Sequence, residues 1–134
     1  MEFKDLVTVY FERSTAMQTF WNFYLTVILG LLAFFGVMKP SAKSKNIALL
    51  MSVAFALFAA VNLNGLLGVT TQRRVSADLV YSAPVDARYR PLQSAINENP
   101  PPIGWVLAVH LFGDVATIAA IWFLALRSAE PAKR

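Results

Sequence analysis

The chain contains no cysteine, so disulfides, thiolate metal ligands and cysteine nucleophiles are excluded, and cysteine usage says nothing of the redox compartment. It contains one histidine, too few for any ordinary protein-only zinc or di-metal site. Charge is scarce as well: 15% of residues are charged against 57% hydrophobic, a balance that an ordinary soluble domain does not have. No serine stands beside the histidine in a recognisable motif, no two acids pair within one apolar stretch, and Gly65 with Gly68 does not make a phosphate-binding signature. These absences argue against an enzyme. The net charge of +4 does not call for nucleic acid, because Lys39, Lys43, Lys45, Arg127, Lys133 and Arg134 flank apolar stretches, where basic residues set orientation and meet anionic headgroups.

What the chain has instead is three long apolar stretches, residues 17–38, 46–68 and 103–126. At ~1.5 Å per helical residue each is long enough for a hydrocarbon core ~30 Å thick. The fold class expected is an all-α integral membrane protein with three transmembrane helices. A cleavable signal peptide does not fit the first stretch, which follows sixteen residues that include Glu2, Asp5 and Glu12.

Residues 1–14 place Phe3, Leu6, Val7, Tyr10 and Phe11 at helical spacing, with Glu2, Lys4, Asp5, Glu12 and Arg13 opposite. That pattern predicts a short amphipathic helix in the membrane interface, or alternatively one that packs on the protein's own loop. Thr15 and Gln18 have the spacing of a capping box, which predicts the start of the first span there. Pro40 ends that span in a lysine-rich turn, and Gly65 and Gly68 offer an end to the second. Residues 69–102 form one long extramembrane loop, with short helices expected near 75–81 and 91–96 and an extended approach through Pro100–Pro102. Residues 127–134 form a basic tail. Arg73, Arg74, Tyr81, Arg88, Tyr89 and Arg90 make the loop a candidate docking surface for a partner, since these residue types are enriched at interfaces.

Alternation of three spans brings Gln18, Asn22, Asn62, Asn64 and His110 toward one membrane face, with Asp114 deeper. Polar groups in hydrocarbon are costly and usually mark contacts or pathways. His110 and Asp114 are four apart and share a helical face with Thr117. Asn62 lies at a depth similar to His110, but Asn62 and Asn64 point in nearly opposite directions. One contacts the third helix and the other faces the first helix or another protein, and spacing does not decide which. Trp21, Trp105 and Trp122 read as interfacial anchors.

Three explanations of the polar cluster follow: interhelical packing, proton or ion passage through a pair whose charge states respond to burial and to each other, or haem ligation by His110. The architecture is similar to small three-span respiratory anchors, a likeness that does not fix function. The expected function is a non-catalytic membrane subunit assembling with other membrane subunits or copies of itself in the lipid bilayer. A homo-oligomeric channel and a haem or quinone anchor are the alternatives. Basic residues number six on each side, and the short acid-free lysine turn favours a cytoplasmic C-terminus with the N-terminus and long loop outside.

Overall fold

A computed structural model describes residues 2–97 and 101–127; Pro100, Lys133 and Arg134 lie outside these. Among the described residues all regular structure is helical, without strands. Helix α1 spans Phe3–Val37, α2 Ser44–Ser82, α3 Arg90–Asn97 and α4 Ile103–Leu126, with a 3₁₀ turn at Ala87–Tyr89 leading into α3. Helices α1, α2 and α4 are each long and apolar enough to cross a membrane.

Breakers set the helix limits. The sequence has neither glycine nor proline before Gly30, so nothing interrupts the backbone ladder through Thr15. There is accordingly no helix start at Thr15, whose carbonyl accepts a bond from Thr19 Oγ1 at 3.0 Å in mid-helix. The start lies at Glu2, whose backbone N–H donates to the Asp5 carboxylate at 3.0 Å. Likewise α2 does not stop at its glycines. No described glycine has positive φ, so Gly65 and Gly68 are helical. The helix continues to Ser82, where Ala83 turns extended ahead of Pro84. More than a third of the expected 69–102 loop is therefore the end of α2, and the short helix expected near 75–81 is part of it. The one expected near 91–96 is α3.

Helix lengths then shape the molecule. With 35 and 39 residues, α1 and α2 reach ~52 and ~58 Å, whereas α4 with 24 reaches ~36 Å. Residues 14–38, 46–72 and 103–126 carry no formal charge except on Asp114 and, when protonated, His110. These three windows lie side by side as a bundle. Its core gathers Tyr24, Leu31, Phe35, Phe55 and Ile121, with Ala48, Ala59 and Ala125 allowing the backbones to approach. Its perimeter is mostly apolar, with Leu29, Leu50, Leu57, Phe112 and Phe123 exposed. At one end Arg127 Nη2 donates to the carbonyls of Gly36 at 2.7 Å and Met38 at 3.3 Å, tying the end of α4 to the α1–α2 turn.

Beyond the start of α4, α1 and α2 continue as a two-helix extension. There Tyr10, Ala77, Val80 and Ile96 form a second core, with Phe3, Leu6 and Val7 packed against it. Phe3, Leu6, Val7 and Tyr10 of the N-terminal stripe thus share a core with the protein's own α2 and with Ile96, while Phe11 stays exposed, and the segment is part of α1 rather than a separate helix. The Gln93 side-chain amide nitrogen donates to the carbonyls of Val80 and Tyr81 at 2.9 and 2.8 Å, capping α2 and fastening α3. Replacing Ile96 with Ala should cost ~2–5 kcal/mol of local stability. Hydrogen exchange should show residues 90–97 losing protection while 46–64 stay protected; protection lost equally in both would mean the two cores are not separable.

Candidate functional site

One polar layer crosses the bundle, and its geometry is dictated by the needs of a single imidazole. His110 on α4 is fully buried. Its Nε2 lies 3.2 Å from Asn62 Oδ1 on α2, and its Nδ1 lies 3.0 Å from Asp114 Oδ2 one turn along α4. Asn62 in turn donates from Nδ2 to the Phe20 carbonyl of α1 at 3.2 Å. Tyr24 of α1 closes the circuit: its hydroxyl lies 2.8 Å from Asp114 Oδ1 and 3.1 Å from the His110 carbonyl. The Tyr24 ring stacks on the imidazole at 4.1 Å between centroids, and Trp21 packs at 5.9 Å.

The directions of these bonds follow from valence. The Phe20 carbonyl can only accept, so Asn62 must turn its NH₂ to it and its Oδ1 to His110. Nε2 of His110 therefore carries a proton. The single hydroxyl proton of Tyr24 goes to an Asp114 oxygen, its shorter contact. One proton then lies between Nδ1 and Oδ2. Whether it is assigned to nitrogen or to oxygen, giving imidazolium with carboxylate or imidazole with carboxylic acid, the pair has zero net charge. A carboxylate opposite a bare Nδ1 would set two lone pairs face to face at 3.0 Å and leave a net charge among apolar helices, which is costly.

Glycine makes the fit possible. A Cβ built on Gly113 would stand 2.6 Å from the Tyr24 hydroxyl, in a site where a buried, stacked tyrosine has no room to withdraw. A Cβ on Gly65 would meet the Phe20 ring, with Cζ 2.7 Å away, so this glycine lets α1 and α2 approach beside Asn62.

The structure separates the polar residues singled out by sequence. His110, Asp114 and Asn62 come together. Thr117 is buried on the same helix, but its hydroxyl donates to the Gly113 carbonyl at 2.7 Å and stands outside the network. Asn64, Gln18 and Asn22 face outward from the bundle. Of the docking-loop residues, Arg73 is half-buried against α1, Arg88 pairs with Asp86 at 3.5 Å and lies over the Tyr89 ring, and Arg74, Tyr81, Tyr89 and Arg90 are exposed. Tyr24 was not among the expected polar cluster. Its signal was a hydroxyl near the depth of Asn62 and His110 in an apolar window, where such a group must find a partner.

The layer can hold three helices in register and position one proton. Both ring nitrogens of His110 are engaged, so ligation of a metal or haem iron would require breaking one of these bonds. No group of three potential ligands clusters among the described residues. Comparison with protein-family models, with curated proteins and with solved structures finds no match.

Gly113→Ala should destabilise the bundle by ~1–3 kcal/mol, by displacing the Tyr24 hydroxyl from Asp114. Tyr24→Phe removes the group in conflict, so the double variant should lose less than the two single costs combined. Strict additivity in thermal unfolding would contradict the packing described.

Proposed function

We propose that the chain is a non-catalytic, multi-pass membrane subunit that assembles with other membrane subunits or copies of itself. In this reading the three charge-poor windows lie in the bilayer, the α1–α2 extension with α3 stands outside, and the C-terminus is cytoplasmic. The observation that carries the assembly reading is the split among the polar side chains. Asn62, His110, Asp114 and Tyr24 satisfy one another inside the bundle. Gln18, Asn22 and Asn64 point outward from within uncharged helical windows. In hydrocarbon an outward amide lacks the partner that water would supply, and a neighbouring helix offers one. The fully bonded state of His110 supports a structural role for the layer rather than a ligand role.

A second reading, a homo-oligomeric proton or ion channel, draws on Asp114, which keeps 17% of its side-chain surface exposed beside the shared proton. Asp114→Asn separates the two. The amide it introduces can accept from Tyr24 through Oδ1 and donate through Nδ2 to Nδ1 of a neutral His110, so every bond survives while the carboxyl group is gone. The subunit reading predicts unchanged stability and unchanged co-purification in mild detergent. Altered proton flux in liposomes with assembly intact would instead support the channel. Asp114→Leu should cost ~0.6–2 kcal/mol for each orphaned contact in thermal unfolding.

A further inference from the structure

Three turns beyond the polar layer, the same two helix faces meet again around an arginine. Eleven residues make three helical turns, so Arg13 shares the face of Tyr24, and Arg73 shares that of Asn62. Both arginines are half-buried. Arg73 is held in place by α1: its Nε donates to Ser14 Oγ at 2.9 Å and its Nη2 to the hydroxyl of Tyr10 at 2.7 Å. Ser14 is itself anchored, donating to the Tyr10 carbonyl at 2.9 Å. Neither Arg13 nor Arg73 has a carboxylate within ion-pair distance among the described residues. Arg73 still has three N–H donors uncommitted, two on Nη1 and one on Nη2, of the five that a guanidinium carries.

Position adds the second element. Arg13 and Arg73 are the first charges beyond the uncharged windows 14–38 and 46–72, so they stand at one level of the two helices. They lie ~16 Å beyond the polar layer, whereas α4 extends only ~10 Å beyond His110 before it begins at Ile103. A fixed guanidinium without a carboxylate partner, its Cζ 5.1 Å from the Tyr10 ring centroid, therefore lies where the apolar perimeter ends, with Arg74 exposed next to it.

We propose that Arg73 and Arg13 form a site for a lipid headgroup phosphate, gripped by the free guanidinium edge of Arg73 and neutralised by both cations. The proposal rests on the membrane reading above. The phosphate ester supplies the missing counter-charge, and its acyl chains run down the apolar surface of the bundle.

The test uses the full chain in phosphatidylcholine nanodiscs containing phosphatidylglycerol, with retained lipid counted by native mass spectrometry. Wild type should keep phosphatidylglycerol in preference to phosphatidylcholine. Arg73→Gln and Arg13→Gln should each reduce that retention about ten-fold, the effect of losing a charge-assisted contact, while Lys4→Gln, exposed near the start of α1, leaves it unchanged. Arg13 makes no side-chain hydrogen bond among the described residues, so its variant remains decisive if Arg73→Gln fails to fold. Equal retention in Arg13→Gln and wild type, or an equal loss in Lys4→Gln, overturns the site. Displacement of the lipid by inorganic phosphate alone would assign the site to a free anion and overturn the lipid. Release of wild-type protein from membranes by alkaline carbonate would overturn the membrane reading itself, a distinct result.

Discussion

An imidazole buried without water must find a partner for each of its two nitrogens, and in this protein that requirement falls on one residue. His110 meets it through Asn62 on α2 and Asp114 on its own helix, and Asp114 meets Tyr24 on α1. Because Asn62 also donates to the Phe20 carbonyl, a shift of any helix by one turn, ~5.4 Å, would leave several polar groups unpaired in an apolar layer. In the bilayer proposed for these helices, hydrophobic packing among Leu31, Phe35, Phe55 and Ile121 tolerates sliding far better than this, since between lipid and leucine there is little to choose. The polar layer therefore specifies register, and the apolar core fills the space that the register leaves.

Length completes the arrangement. Two helices longer than a bilayer and one that matches it make a bundle with an asymmetric end. Where α1 and α2 run past the start of α4, the second core around Tyr10, Val80 and Ile96 joins them, with α3 packed on α2. Between the two cores lies a narrow band where Arg73 bridges α1 and α2 through Ser14 and Tyr10. Charge is thus confined to the two ends of the molecule, apart from a neutral pair in the middle.

The three apolar helices were legible because charge-poor windows of such length have few other readings. The limits of α1 and α2 were not. Periodicity shows which face of residues 3–11 is apolar, but the same stripe suits a membrane interface or a neighbouring helix, and only the run of α2 to Ser82 decides between them. Thr15 with Gln18 had the form of a cap, yet a cap stabilises an end that something else creates, and no glycine or proline lies near. Glycines at 65 and 68 permit a helix end without requiring one; here Gly65 serves close packing against Phe20. The spacing of His110 and Asp114 identified their shared face, and depth matched Asn62 to them. The choice of Asn62 over Asn64 depended on helix rotation, which spacing alone does not give. Tyr24 passed as one more aromatic because its hydroxyl becomes informative only once its partners are placed.

The histidine is unique in the chain, so its side chain can be observed without ambiguity. Nitrogen-15 NMR of the histidine-labelled protein in bilayers measures the protonation of both ring nitrogens directly. The account predicts a protonated, hydrogen-bonded Nε2 with a strong one-bond coupling to its proton, and a hydrogen-bonded Nδ1 that responds to Asp114→Asn. A bare Nε2 with the proton fixed on Nδ1, or a ring averaging freely between tautomers, would contradict it.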